Sequence, residues 1–153
     1  MNEEKVLVIM KPDAIVRGLV GEIVKRFENK GLHIIGTKMQ KLETVSLEEH
    51  YAHVADKPFF GEIKEYMQAS PVVLMAFSGI NGVKSARSIV GATDGSDADA
   101  GTIRGDFAYS IEYTLVHASD TAENGEEEVK RFFTDEEIFT YEKPSIKNIY
   151  GKN

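Results

Sequence analysis

The sequence predicts an α+β sandwich, in which helices cover the faces of a β-sheet. Two runs, Val6 to Met10 and Pro71 to Phe77, are apolar at successive positions, as is typical of strands that are buried on both faces. Strands of this kind need covering layers. The predicted order of elements supplies them: strand, helix, strand, helices, strand, helix, loop, strand, helix.

The first half of the chain alternates strands with helices. Val6 to Met10 is predicted to be a central strand that ends at Lys11-Pro12-Asp13. A helix follows and ends at Gly31, because apolar residues recur at helical spacing at Val20, Ile23, Val24 and Phe27. Leu32 to Met39 is predicted to be the second strand.

Two short helices are predicted to precede the third strand. Ser46 and Glu49 form a capping-box pattern that begins the first of them, and Asp56-Lys57-Pro58 ends it. Phe59 to Gln68 is predicted to be the second helix. Pro71 to Phe77 then forms the third strand.

A long loop follows the next helix. Asn81 to Val90 is predicted to be helical, whereas Gly91 to Gly105 is rich in Gly, Asp, Ala and Thr and has no apolar periodicity. Loops of this length inside compact domains are usually functional or disordered, so this loop is a candidate substrate-binding segment.

The last predicted strand and helix flank a histidine. Ile111 to Val116 is predicted to be a strand with His117 at its end. Ala122 to Phe133 is predicted to be a helix, capped by Asp120 with Glu123 three residues further on. The tail from Thr140 to Asn153 shows no helical pattern.

Length, charge and composition narrow the class of protein. The 153 residues are expected to form one domain, 1–153, with a C-terminal tail at 140–153. The net charge of −7 makes nucleic acid and anionic membranes poor partners. The chain has no cysteine, which excludes disulfides and thiolate sites. Because the N-terminus is polar and no apolar stretch is long enough to span a membrane, we expect a cytoplasmic location.

His117 is the main candidate for catalysis. A neutral imidazole is nucleophilic without a separate base, and the start of the following helix favours an incoming phosphate. Glu128 could hold the second ring nitrogen, and Ser119 could support Glu128. Taken alone, a histidine at a strand end can equally have a structural role. His33, His50 and His53 have no comparable setting and are interpreted as structural.

Phosphate binding requires cations and hydroxyl donors that converge. Lys11, Arg87, Arg104 and Thr93 are the candidates, and the long loop could bring Arg87 and Arg104 to a shared ligand. Gly79 to Ser85 does not have P-loop spacing, and no Gly-x-Gly-x-x-Gly motif occurs. No clustered acidic motif predicts a protein cage for a metal, so any Mg²⁺ must accompany a nucleotide.

Six motifs are spread along nearly the whole chain: Lys-Pro-Asp at 11–13, Arg-Gly-Leu-Val-Gly-Glu-Ile at 17–23, His-Tyr at 50–51, Lys-Pro-Phe-Phe at 57–60, Gly-Thr-Ile-Arg-Gly-Asp at 101–106 and His-Ala-Ser-Asp at 117–120. Together and in this order they resemble the nucleoside diphosphate kinase family. The resemblance implies a ferredoxin-like βαββαβ fold with an antiparallel sheet. It also implies ping-pong transfer of a γ-phosphoryl group from a nucleoside triphosphate to a diphosphate through His117, with Mg²⁺ on the nucleotide.

The resemblance also implies roles for individual residues. Phe59 and Ile111 would sandwich the base, and Lys11 would serve the ribose and the phosphates. The phosphates would be held by Arg87, Thr93 and Arg104. Tyr51 would line the site beside His117, which Glu128 and Ser119 would orient.

The chain departs from the family pattern at several positions. Thr114 stands where the family usually has Asn, whose side chain contacts the sugar. Gly95 and Ala100 replace two loop prolines, which can each contribute about 0.4–1 kcal/mol to stability, and the loop forms subunit contacts in the family. Ala118 replaces a frequent Gly. The tail segment Asn148-Ile149-Tyr150 resembles that of hexameric relatives, so a homo-oligomer is expected, with a hexamer favoured over a tetramer.

Two other functions compete with this interpretation. A regulatory or scaffold protein could keep the fold and bind nucleotide without efficient turnover, as Thr114 would suggest. A nucleic-acid-binding module is disfavoured by the net charge of −7 and by the lack of a basic stripe.

Overall fold

A four-stranded antiparallel sheet forms the centre of the protein. The structure is a computed structural model and describes residues 3–143 and 146–151. The strands lie in the order β2-β3-β1-β4, with β1 at Glu3–Met10, β2 at His33–Gln40, β3 at Val72–Ile80 and β4 at Val116–Ala118. All three pairs of neighbours are antiparallel. This order confirms the predicted ferredoxin-like α+β sandwich.

Helices cover both faces of the sheet. Their bounds are α1 Pro12–Val16, α2 Val20–Lys30, α3 Thr44–His50, α4 Phe60–Gln68, α5 Gly82–Val90, α6 Ile103–Phe107, α7 Ala122–Phe132 and α8 Ile146–Tyr150. Short 3-10 turns occur at Gly95–Asp97 and Asp135–Glu137. Among the described residues, no helix has the length and apolar character needed to cross a bilayer.

The central strand β1 divides the core into two layers. Val6, Val8 and Met10 pack with residues of α2 and α5 on one face. Leu7 and Ile9 pack with residues of α3, α4 and α7 on the other. All five side chains are fully buried, which confirms the prediction of a strand covered on both faces.

The predicted strand at Ile111 to Val116 is wrong. The strand β4 spans only Val116–Ala118, so His117 lies in its middle, paired with Ile9 of β1. Just before it, the Leu115 carbonyl accepts the N–H of Lys11 at 2.8 Å where β1 ends, and side chains bind neighbouring backbone groups. The Asp13 carboxylate accepts the N–H of Leu115 at 3.0 Å, and Leu115 has a left-handed φ of 67° that no regular strand contains.

Two predicted helix caps are also wrong. The helix α3 begins at Thr44 after Glu43 and has no side-chain cap, so Ser46 lies inside it. The cap of α7 is Thr121, whose hydroxyl accepts the N–H of Asn124 at 3.1 Å, and Asp120 instead accepts from the Asn124 side chain. The backbone N–H of Asn124 is therefore not free to bind a phosphate.

Three short helices were not predicted. The helix α1 begins with Pro12 at its first position, where a missing N–H costs nothing. The helix α6, capped by Thr102, occupies the end of the predicted loop. The helix α8 lies in the tail that was expected to lack helical structure, while 144–145 and 152–153 lie outside the described residues.

Candidate active site

A cleft of about 600 Å³ contains nine of the eleven residues predicted for the site. They come from loops, helices and β4: Lys11, Tyr51, Phe59, Arg87, Thr93, Arg104, Ile111, Thr114 and His117. The volume lies within the usual range for a small-molecule site. A larger cavity of about 710 Å³, between β2 and residues 138–143, contains none of the predicted residues, so size alone does not locate the site.

The remaining two predicted residues, Glu128 and Ser119, hold His117 through hydrogen bonds. Glu128 Oε2 lies 3.0 Å from His117 Nε2, and the Ser119 hydroxyl donates to the same oxygen at 2.5 Å. Ser119 is fully buried and also accepts the N–H of Leu7 at 3.0 Å, which anchors it to the central strand. The three side chains thus form a chain of hydrogen bonds from β1 to the imidazole.

This arrangement determines which nitrogen of His117 is free. Burial opposes the charge of Glu128, but hydrogen bonds from His117 and Ser119 outweigh it and lower the pKa of the carboxyl group. A carboxylate only accepts hydrogen bonds, so Nε2 of His117 carries the proton in the neutral ring. Nδ1 therefore keeps its lone pair and makes no hydrogen bond within the described part of the chain.

His50 lies beside His117, which the sequence analysis did not anticipate. The two rings meet edge to face with centroids 4.5 Å apart. His50 Nδ1 is 3.3 Å from Arg131 Nη1. Burial, followed by the proximity of His117, lowers the pKa of His50 to about 3, so its ring is neutral at physiological pH. His50 was interpreted as structural, and its contact with His117 was not predicted.

Arg104 is a buried cation whose hydrogen-bond partners, in the part of the chain that the structure describes, are backbone carbonyls. It is 4% exposed, and its guanidinium donates to the carbonyls of Thr114, Gly91 and Val116. Burial and then the charge of Arg87 lower its pKa to about 10. Among the described residues no carboxylate forms an ion pair with Arg104, so its charge is available to an anionic ligand.

Lys11 adds a second cation at the end of β1. Its Nζ donates to the hydroxyl of Thr114 at 2.9 Å. Burial and then the charge of Arg104 lower the pKa of Lys11 to about 8. Thr114, which replaces the usual Asn of the family, thus accepts a hydrogen bond from Lys11.

The rim of the cleft is more open. Arg87 and Thr93 are exposed. Phe59 and Ile111 are 47% and 63% exposed, and apolar side chains left this accessible can contact a flat ligand. Tyr51 lies deeper, and burial followed by the charge of Glu128 raises the pKa of its hydroxyl to about 12, so the group stays protonated.

Asp13 is a second residue whose role the sequence analysis missed. Its carboxylate accepts hydrogen bonds from the Tyr66 hydroxyl and from the N–H of Leu115, two residues before His117. Burial and the bond to Asp13 raise the pKa of Tyr66. The motif Lys-Pro-Asp was noted in the sequence, but a carboxylate just after a buried strand gave no indication of these distant partners.

Comparison with known proteins identifies the family. The profile of the family named Nucleoside diphosphate kinase matches residues 4–138. The chain belongs to the nucleoside diphosphate kinase family.

Relatives and solved structures match over nearly the whole chain. A nucleoside diphosphate kinase of Parabacteroides distasonis is 47% identical over 98% of both chains, and nucleoside diphosphate kinase A of Rattus norvegicus is 41% identical over 97% of this chain and 98% of its own. The structure of a halophilic nucleoside diphosphate kinase from Halobacterium salinarum in complex with CDP has a TM-score of 0.93. It is 36% identical and covers 97% of this chain and 99% of its own.

Family membership establishes the class of reaction. The protein is a phosphotransferase, a kinase that acts on nucleotides, and its family uses divalent cations. The interpretation as an enzyme is thereby confirmed.

Proposed function

We propose that the cleft transfers the γ-phosphoryl group of a nucleoside triphosphate, typically ATP, to a nucleoside diphosphate through a phosphohistidine at His117. The observation that supports this proposal most directly is the hydrogen bond from His117 Nε2 to Glu128, which leaves the Nδ1 lone pair free. In the first step Nδ1 forms a bond to the γ-phosphorus. The bond from phosphorus to the bridging oxygen breaks, and the diphosphate leaves with its electron pair.

Phosphorylation at Nδ1 places a positive charge on the imidazole ring, because both nitrogens then have a substituent. Glu128 lies 3.0 Å from Nε2 and stabilises that charge, while Ser119 holds Glu128 in place. In the second step a terminal oxygen of the acceptor diphosphate attacks phosphorus, and the electron pair returns to Nδ1. Both steps use the same groups in opposite directions.

The remaining residues of the cleft are proposed to bind the nucleotide. Lys11, Arg87, Thr93 and Arg104 hold the phosphates, and the buried charge of Arg104 gives this part of the cleft its affinity for anions. Phe59 and Ile111 contact the base from the rim, Thr114 lies near the sugar with Lys11, and Tyr51 lines the site beside His117. The Halobacterium salinarum relative was solved with CDP, which supports a nucleotide ligand.

We propose that Mg²⁺ enters with the nucleotide and is held through its phosphates, where it offsets their negative charge. Lys11, Arg87 and Arg104 are cations and cannot ligate a metal. Within the described ranges, one group of potential ligands converges, His50, His117 and Glu128. Its two imidazoles do not suit Mg²⁺, which prefers oxygen ligands.

The protein is further proposed to form a homo-oligomer, with a hexamer favoured over a tetramer. The support is the resemblance of Asn148-Ile149-Tyr150 to the C-terminal segment that hexameric relatives use at interfaces. A single domain over 1–153 and a cytoplasmic location stay predictions of the sequence.

A labelling experiment tests the proposed route. The protein is incubated with Mg²⁺ and γ-labelled ATP, isolated, and chased with GDP, in parallel with His117→Ala and with His53→Ala as a matched control. We expect acid-labile label that moves to GTP in the wild type and in His53→Ala, and none in His117→Ala.

Other outcomes would change the assignment. Label that persists in His117→Ala would move the nucleophile to another residue. Bound nucleotide without any label in the wild type would favour a regulatory protein that has lost turnover.

A further inference from the structure

A second cavity reaches His117 from the side of α3 and α7. It measures about 380 Å³ and is lined largely by polar side chains, including His53, Asp120, Asn124 and Glu127. His50, His117 and Glu128 lie together in its wall, and each offers one ligand atom within 4.8 Å of the others. His117 therefore faces both the nucleotide cleft and a separate polar space.

The three side chains in this wall form a ligand set for a transition metal. Two imidazoles and one carboxylate, with water in the fourth position, are a common arrangement around Zn²⁺. Tetrahedral metal–ligand bonds of about 2.0–2.2 Å place the ligand atoms roughly 3.3–3.6 Å apart. The pair His117 Nε2 and Glu128 Oε2, at 3.0 Å, therefore has to open slightly, and the nitrogen of His50 has to approach. Neutral imidazole suits Zn²⁺, Cu²⁺ and Ni²⁺, whereas Mg²⁺ prefers oxygen ligands, so this space discriminates against the ion that accompanies nucleotides.

We propose that His50, His117 and Glu128 bind a divalent transition-metal cation such as Zn²⁺, and that the bound ion prevents phosphorylation of His117. In the metal-free protein the proton of His117 lies on Nε2, between the ring and Glu128. The metal takes this position and bonds to Nε2. The Nε2–H bond breaks, an Nδ1–H bond forms, and the ring stays neutral without any change of oxidation state.

The shift of the proton explains the inhibition. Once Nδ1 carries the proton, it has no lone pair in the ring plane with which to attack phosphorus. Glu128 becomes a metal ligand and no longer stabilises an imidazolium. This consequence rests on the proposed role of His117 as nucleophile, whereas metal binding itself does not.

Arg131 opposes the binding of the metal. Its Nη1 donates to His50 Nδ1 at 3.3 Å, so one nitrogen of His50 is occupied and the other carries the ring proton. This hydrogen bond must break before either nitrogen can ligate a metal. The positive charge of Arg131 also repels a metal cation. Removal of Arg131 is therefore expected to tighten metal binding.

Direct titration of nucleotide-free protein tests the site. Zn²⁺ is partitioned between the protein and a chromophoric zinc chelator, because nucleotides would themselves bind the ion. We expect one Zn²⁺ per chain in the wild type and weaker binding by about tenfold or more in His50→Phe, which keeps an aromatic ring against Phe132. The control His53→Gln, in the same cavity, should bind as the wild type does, and Arg131→Met should bind more tightly.

Two results would overturn the proposed metal site. One is the absence of stoichiometric Zn²⁺ binding in both the wild type and Arg131→Met. The other is equal affinity in the wild type, His50→Phe and Arg131→Met. The Arg131→Met variant keeps the test decisive if His50→Phe fails to fold.

The inhibitory consequence is tested separately. ¹⁵N spectra of the histidine rings should show that the His117 proton moves from Nε2 to Nδ1 when Zn²⁺ binds. Labelling by γ-labelled ATP should then fail in protein preloaded with Zn²⁺ and return after chelation. A proton shift that persists in the presence of the nucleotide, together with undiminished labelling, would refute the inhibition and would show that another residue is the nucleophile, whereas failure of the metal site would appear as no binding at all.

Discussion

At the scale of single residues, the cleft concentrates positive charge that forms no ion pair within the described part of the chain. Arg104 is buried against carbonyl groups, and the Nζ of nearby Lys11 donates to the hydroxyl of Thr114. Burial and then the charge of Arg87 lower the pKa of Arg104 to about 10, and burial and then the charge of Arg104 lower the pKa of Lys11 to about 8. An anionic ligand relieves this repulsion, which explains why the site favours phosphates.

The lowered pKa of Lys11 predicts that nucleotide affinity depends on pH. As pH rises through about 8, Lys11 of the nucleotide-free protein loses its proton. A phosphate that binds above this pH must draw a proton back onto Lys11, which weakens binding. The dissociation constant of ADP, measured by calorimetry between about pH 7 and pH 9.5, should increase above pH 8. In Lys11→Arg the rise should disappear because a guanidinium stays charged over this range. A flat profile in the wild type would contradict the lowered pKa.

Ser119 links catalysis to the stability of the central strand. Ser119→Ala removes the partner of the Leu7 N–H, a buried donor in β1, and one of the two hydrogen bonds to Glu128. We expect a loss of about 1–3 kcal/mol in the free energy of unfolding. We also expect turnover to fall by about tenfold or more, because Glu128 then holds His117 less firmly.

The free energy of unfolding of Ser119→Ala is measured by urea denaturation, and turnover is measured on the same preparation. The control is Ser88→Ala. The exposed Ser88 hydroxyl donates to the Lys84 carbonyl of its own helix, so the free energy of unfolding should change by less than about 0.5 kcal/mol. Equal stability of Ser119→Ala and the wild type would show that the Leu7 N–H finds another partner.

At the scale of elements, the loop between α5 and α6 contains two positions that look equivalent in the sequence but have different surroundings in the structure. Both Gly95 and Ala100 stand where the family usually has proline. A Cβ atom at Gly95 would lie 2.6 Å from the carbonyl carbon of Ala108, so only glycine fits there. Ala100 is exposed, and its N–H donates no backbone hydrogen bond within the described residues.

Proline is therefore expected to have opposite effects at these positions. Ala100→Pro should raise the free energy of unfolding by about 0.4–1 kcal/mol because it restricts the unfolded chain. Gly95→Pro should lower it, because the ring would collide with Ala108. Thermal denaturation of the two variants distinguishes them. Stabilisation by both would mean that the loop rearranges around position 95.

At the scale of the whole molecule, apolar side chains remain exposed next to the same loop. Val16, at the end of α1, is 75% exposed, and Tyr109, just after α6, is 90% exposed. Arg17 joins these regions because its Nη1 donates to the carbonyl of Phe107 at 2.6 Å. Exposed apolar residues next to a loop that relatives use between subunits support the proposed homo-oligomer.

The assembly is tested by light scattering during size-exclusion chromatography. We expect a mass of about six times the 17.0 kDa of one chain. Tyr109→Glu should reduce the mass by placing a charge at the interface. Val45→Glu, a control on α3 at a position that is also exposed, should leave the mass unchanged. A monomeric or tetrameric wild type would contradict the hexamer.

Much of this protein was predictable from local patterns in the sequence. Continuous apolar runs predicted β1 and β3, because a strand covered on both faces has no polar side to show. The apolar spacing of α2 and the glycine at its end predicted that helix. The motifs along the chain predicted the residues that the fold gathers in one cleft, since residue type and order are properties of the sequence.

Only the tertiary structure decided where β4 begins and which side chains surround His117. The N–H of Leu115 is bonded by Asp13, 102 positions earlier, and Arg104 occupies nearby carbonyls that a strand would have used. His50, at the end of α3, contacts His117 of β4 in the folded protein, although no spacing within either segment indicates it. The physical reason is the same in both cases: these contacts join residues distant in the chain, so they exist only once the layers have packed.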